Sequence, residues 1–314
     1  MEKEYAIVMN GIVKEFKVLN RREGLKGSLL DLFSRDYKTV TAVDDISVKI
    51  PKGQIVGYLG PNGAGKSTTI KMMTGVLEPT RGELLVNGCV PYKNRTKNAE
   101  KIGVVFGQRS QLWWSLPLIE SFRLLKEIYL IPDADYNEMM ELYMSLVDLE
   151  PLLHKTVRQM SLGQRTLSDI LAAFLHDPQI VFLDEPTIGL DVSMKAKIRE
   201  LIKELNRKKQ TTVILTTHDM GDVDALCERI VIIDHGKMIY DNDMEHLKTY
   251  YGSYRTLKIR LPGDVWEEEQ IDESETDVMS VISEYQKKGN ILDIKLEEIA
   301  TEEVIKKIYE GVAG

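Results

Sequence analysis

The sequence has only two cysteines, Cys89 and Cys227, far apart and with no nearby paired histidines, so it indicates neither a disulfide framework nor a zinc site. Long apolar runs are also missing. None approaches the roughly 20 residues that cross a bilayer, and the start, MEKEYAIVMN, lacks the basic-then-apolar order of a signal peptide. Any membrane role is therefore expected to be peripheral. Positive charge is short too: 41 Lys and Arg face 49 Asp and Glu, a formal net charge of -8. That balance argues against the basic face used to bind nucleic acid, and clusters such as Arg21, Arg22 or Arg207, Lys208, Lys209 read as solvated charge. What is present, 314 residues with 43% hydrophobic content, suffices for one large α/β domain and a smaller appendage.

Residues 1 to about 240 alternate apolar runs with amphipathic segments, which predicts a layered α/β domain. IVGYLG (55–60), IVFLD (180–184), TVILTT (212–217) and RIVIID (229–234) read as buried parallel strands. Ile198, Leu201, Ile202 and Leu205 repeat at helical spacing and predict a core-facing stripe. A helix-rich insertion is expected over about 112–178. Phe122, Leu125, Ile128 and Tyr129 recur there at helical intervals, and so do Met139, Met140, Tyr143, Leu146 and Val147. Residues 17–39 interrupt two strands expected to pair, and Leu25, Leu29, Leu32 and Phe33 fit an amphipathic helix, either packed on its own domain or facing a membrane partner. Residues 241–314 predict an α+β appendage: an acidic polar loop from Glu267 to Asp277, a strand in ILDIKLEE, and a final helix carrying Val304, Ile305 and Ile308.

Two motifs carry chemistry. Gly60, Pro61, Asn62, Gly63, Ala64, Gly65, Lys66 and Ser67 fit G-x-x-x-x-G-K-[ST], placed after an apolar strand and before the helix that opens with Ser67 and Thr68. Glycines let backbone N–H groups curl round a β-phosphate, the helix N-terminus adds positive potential, Lys66 reaches the β- and γ-phosphates, and Ser67 ligates Mg2+. Farther on, an apolar strand runs into Asp184 and Glu185. Asp184 can hold Mg2+, and Glu185 can polarise an attacking water as general base.

Taken together, these residues make about 4–240 resemble the ATPase subunits of ABC transporters. The resemblance implies a P-loop NTPase (RecA-like) α/β core with an antiparallel β subdomain and an inserted helical subdomain, binding ATP and Mg2+. It assigns Gln108 to the Q-loop, at the metal and water site. Met160, Ser161, Leu162, Gly163 and Gln164 take the place of the L-S-G-G-Q signature, which acts on the nucleotide of the other protomer. Leu162 replaces the first glycine of that signature and Met160 its leucine. Ile188 to Asp191 takes the D-loop place, with Asp191 coupling the two sites, and His218 takes that of the switch histidine beside the γ-phosphate. An aromatic ring near the end of the first strand stacks on adenine, with Phe16 fitting and Tyr37 the alternative. Trp113 and Trp114 follow the Q-loop, either in the groove that receives a permease or in the core.

The implied assembly is a dimer, a homodimer before a heterodimer, on separate transmembrane permease subunits at the cytoplasmic face of a bacterial-type membrane, with no nucleic acid. The drug-resistance and efflux branch of exporters is the nearest in motif wording. A polysaccharide or lipid-linked exporter is the alternative, and a soluble ABC-type regulator of ribosome or nucleic acid is a reading from a different class.

Overall fold

A computed structural model describes residues 4–19, 37–107, 110–250 and 254–311. In chain order the first elements are β1 (Tyr5–Leu19), β2 (Tyr37–Pro51), β3 (Ile55–Leu59), α1 (Lys66–Met73), β4 (Arg81–Val86), α2 (Arg95–Ala99) and β5 (Ile102–Phe106). The helices α3 (Leu118–Ile128), α4 (Asp133–Leu146), α5 (Glu150–Leu153) and α6 (Leu162–Phe174) come next. They lead to β6 (Ile180–Asp184), α7 (Val192–Lys209), β7 (Thr212–Thr216), α8 (Met220–Leu226), β8 (Arg229–Asp234) and β9 (Lys237–Asp243). The chain divides into two compact units, 1–241 and 242–314.

In the first unit β1, β2 and β4 form an antiparallel sheet of order β2-β1-β4, and a second sheet runs β5-β6-β7-β3-β8-β9. Pairings of β3 with β7 and β8, and of β6 with β5 and β7, are parallel. Ile180, Val181, Phe182 and Leu183 of β6 are all 0% exposed. That is the burial expected of a parallel strand covered on both faces, which needs apolar residues at every position rather than at alternate ones. The two sheets share a core in which Ile7, Ile46, Ile50 and Val86 join Tyr58, Phe182, Ile214 and Met73.

The helical insertion lies between β5 and β6, with Phe122, Leu125, Met139 and Tyr143 buried and the Tyr143 hydroxyl donating to the Leu171 carbonyl at 2.6 Å. Ile128 departs from the expected stripe: it is 61% exposed, because α3 ends there and turns its last residues outward. Tyr129 instead stacks on His176, ring centroids 3.9 Å apart. Strands β1 and β2 pair as far as Leu19 with Tyr37, so 17–19 and 37–39 are strand rather than insertion. Leu25, Leu29, Leu32 and Phe33 lie outside the described residues.

The second unit holds α9 (Met244–Tyr250), β10 (Tyr254–Leu261), β11 (Val265–Asp272), α10 (Val278–Lys288), β12 (Asp293–Glu298) and α11 (Thr301–Tyr309). Its sheet has the order β11-β10-β12. Of the acidic stretch expected to be a loop, residues 267–272 belong to strand β11, while residues 273–277 form the expected turn. Pairing outweighs its poor β propensity, since Lys258 of the central strand reaches Glu268 on one side at 3.4 Å and Glu297 on the other at 3.0 Å. Among the described residues no helix is long and apolar enough to cross a membrane.

Gly103 on β5 shows how closely the helical insertion is pressed to the sheet, since a Cβ there would stand 2.2 Å from the Ala173 carbonyl oxygen on α6. A Gly103→Ala substitution is expected to cost about 1–3 kcal/mol in urea unfolding. An unchanged midpoint would contradict that close approach.

Candidate nucleotide site

The loop from Gly60 to Gly65 joins β3 to α1 at the carboxyl end of the parallel sheet, where crevices beside a switch in strand order bind ligands. Gly65 caps α1 at φ 108°, and a Cβ there would lie 2.4 Å from the Ala42 carbonyl oxygen, so both conformation and space require glycine. Ala64 closes the turn with N–H to the Pro61 carbonyl at 3.1 Å. Lys66 is 8% exposed, and its amine donates to the carbonyls of Gly60 and Pro61. Burial lowers its pKa, and the Glu185 and Asp184 carboxylates pull it back up.

Asp184 ends β6, and its Oδ1 accepts from the Thr216 hydroxyl at the end of β7. The next residue, Glu185, sits in the left-handed region at φ 53°, with its N–H donating to the Thr216 carbonyl at 2.9 Å. Its two oxygens meet His218: Oε2 accepts the His218 backbone N–H at 3.3 Å, and Oε1 lies 3.3 Å from Nε2. Burial raises the Glu185 pKa, His218 and Lys66 oppose that rise, and Asp184 adds to it. Pro61, Asn62, Gly63, Gly65, Lys66, Ser67 and Thr68 wall one cavity of about 290 Å³ together with Ala42, Asp184, Glu185 and His218. Gly60 and Ala64 are buried beneath it.

Residues 43–188 match the ABC transporter family. A linearmycin resistance ATP-binding protein of Bacillus subtilis is 34% identical over 227 residues, covering 72% of each chain. This chain belongs to the ABC transporter ATP-binding family. An ABC transporter A family member of Dictyostelium discoideum is 36% identical over 236 residues, 75% of this chain and 26% of that protein. The chain thus spans about a quarter of that relative's length. A solved dimeric, post-hydrolysis ATP-binding cassette, MJ0796 bound to ADP and Pi, superposes with TM-score 0.60 at 25% identity, covering 76% of this chain and 98% of that one.

Several expected site residues of this ABC cassette stand away from the cavity. Ser161 caps α6, its Oγ accepting the Gln164 N–H at 3.2 Å while the Gln164 side chain accepts the Ser161 N–H at 3.3 Å. Leu162 is 39% exposed, and Gly163 is buried under Met194. Asp191 caps α7 through the Met194 N–H at 2.9 Å. None of these residues lines the cavity that holds Lys66. Gln108 lies outside the described residues. Its neighbours Gly107 and Ser110 border a second space of about 790 Å³, which Ser67 and Asp184 also line. Phe16 pairs with Val40, two residues from the cavity-lining Ala42, whereas Tyr37 pairs with Leu19 at the far end of the ladder and is 55% exposed. Trp113 and Trp114 are 38% and 53% exposed, which rules out the core alternative, and Arg165 lies 4.4 Å over the Trp114 ring.

Asp169 escaped the sequence reading. It is buried on α6, accepts from the Ser110 hydroxyl at 2.9 Å and the Gln111 N–H at 3.0 Å, and so ties the segment after Gln108 to α6. A carboxylate inside the apolar run Leu167, Ile170, Leu171, Phe174 was the available signal. Burial pushes its pKa up to about 6, against hydrogen bonds from Ser110 and Gln111 that hold it down. A raised carboxyl pKa means that the folded state takes up this proton before the unfolded state does. The penalty on stability is therefore full above about pH 6 and fades as pH falls through 6 towards the unfolded value. Asp169→Asn is expected to remove roughly 2 kcal/mol of the difference in unfolding free energy between pH 7.5 and 4.5. Parallel wild-type and variant profiles would refute this.

Proposed function

We propose that this chain binds and hydrolyses ATP with Mg2+ and powers export through separate permease subunits at the cytoplasmic face of a membrane. The observation that carries the reading is the single cavity that gathers Lys66, Ser67, Asp184, Glu185 and His218. P-loop N–H groups and the start of α1 offer positive potential to phosphate, and Lys66 supplies a buried positive charge beside them. Ser67 and Asp184 present oxygen donors to the same cavity, a pair too few for a protein-only cage and suited to an ion that keeps phosphate and water ligands. Bound there, with Gln108 as a further ligand, Mg2+ would neutralise phosphate charge during transfer. Glu185 accepts the proton of the attacking water. Its raised pKa suits that role, and His218 orients the carboxylate while donating towards the γ-phosphate. The closeness of Val40 to Ala42 favours Phe16 over Tyr37 as the adenine-stacking ring.

Because Ser161, Leu162, Gly163 and Gln164 stand off their own cavity, they serve the nucleotide of a second protomer, and Asp191 couples the two sites. Likeness to a dimeric cassette bound to ADP and Pi supports that arrangement, with a homodimer the simplest form since one chain carries one motif set. Likeness to a linearmycin resistance ATP-binding protein supports export, with drug-like molecules as the substrate class.

Lys66→Ala is expected to abolish ATP binding. Glu185→Gln should bind ATP normally yet turn over at least 100-fold more slowly, and full-rate hydrolysis by it would contradict the assigned base. For the transport reading, tagged Glu185→Gln protein held with ATP and Mg2+ in mild detergent should carry polytopic membrane proteins through purification. Recovery of ribosomes or nucleic acid in their place would leave the ATPase standing and overturn the export function.

A further inference from the structure

Asp222, on α8, is 0% exposed and lines no part of the nucleotide cavity. A buried carboxylate survives only where its oxygens are paired, and each oxygen of Asp222 has specific partners. Oδ2 accepts from the hydroxyls of Thr187 and, at 2.9 Å, of Thr217, and Oδ1 accepts from Arg199 Nε of α7 at 2.7 Å. Arg199 reaches on to Asp219 at 3.1 Å, and Lys195 pairs with Asp219 as well. Asp219 in turn donates its N–H to the Thr217 hydroxyl at 3.0 Å. The ion pairs thus fix Asp222 against the long helix α7, and Asp222 then fixes the two threonines.

Their positions in sequence give this contact its consequence. Thr187 stands two residues after Glu185 across Pro186, and Thr217 stands immediately before His218. One carboxylate oxygen therefore holds the turn after Glu185 and the entry to the loop that carries His218, the two residues whose side chains meet in the cavity. Glu185 also sits at φ 53°, a conformation that non-glycine residues keep only where their surroundings impose it. The Thr216 carbonyl holds Glu185 from one side through its N–H, and Thr187 with Asp222 holds the following turn from the other.

We propose that Asp222 is a positioning residue for ATP hydrolysis, setting the spacing of Glu185 and His218 through the hydroxyls of Thr187 and Thr217. The proposal rests on the reading of Glu185 and His218 as the residues that act on the γ-phosphate. Thr187→Val and Thr217→Val are near-isosteric and leave the Asp222 and Arg199 pair in place, so the test does not depend on removing a buried charge. In the full-length chain each is expected to lower kcat about tenfold or more. The Kd for ATP should stay within twofold and the melting temperature near wild type, while Thr187→Ser and Thr217→Ser should restore kcat.

Wild-type kcat in both valine variants would overturn the positioning role, as would serine variants as slow as the valine ones. The same assays include Glu185→Gln. If that variant hydrolyses ATP at the wild-type rate, the underlying reading of the cavity fails. If it is inactive and the valine variants run at full speed, only the role of Asp222 fails.

Discussion

The parallel register of β6, β7 and β3 is what the site depends on. Asp184 pairs with Thr216, and Gly57 pairs with Leu215, so three strand ends reach nearly the same level before the chain leaves the sheet. From that edge the P-loop leaves β3, Glu185 leaves β6 and His218 follows β7. β6 and β7 each pair with a neighbour on both sides, and their apolar side chains are buried on both faces, so the strands cannot slide to adjust the site. Side-chain hydrogen bonds then do local work on a fixed frame. The hydroxyl of Thr216 holds Asp184, and its carbonyl holds Glu185.

The charges at this edge are mutually dependent. Lys66 is drawn down in pKa by burial and back up by Glu185 and Asp184, while Glu185 is raised by burial and restrained chiefly by His218. Moving Asp184 or His218 would therefore change the field at Lys66 and Glu185. Behind these groups stand uncharged hydroxyls and backbone, and Asp219 and Asp222 form ion pairs with Lys195 and Arg199 of α7.

What the sequence made legible follows from how local each cause is. Four parallel strands could be read because burial on both faces writes an uninterrupted apolar run, as in IVFLD. The phosphate loop could be read because its glycine spacing answers to one backbone path. Strand β11 was missed because its residues are acidic and its reason for being a strand, Lys258, lies on another strand. Asp222 was missed for the same kind of reason, with partners at Thr187, Arg199 and Thr217 that no spacing rule connects. Ile128 fitted the helical stripe and yet faces outward, since periodicity does not say where a helix stops being covered.

The signature segment shows how a departure from a motif can be weighed by packing. Leu162 stands where the family pattern has its first glycine, yet it is the first residue of α6 and is not among the residues with positive φ, so no glycine-only conformation is demanded. Its side chain is 39% exposed and displaces nothing. Gly163 is different, because a Cβ there would meet the Met194 side chain of α7 at 2.5 Å and force it to move. Ser161 and Gln164 meanwhile close a reciprocal cap that leaves the helix start well formed. The chain thus has glycine where the space is tight and a side chain where it is open. The helix start and its dipole are preserved through the substitution.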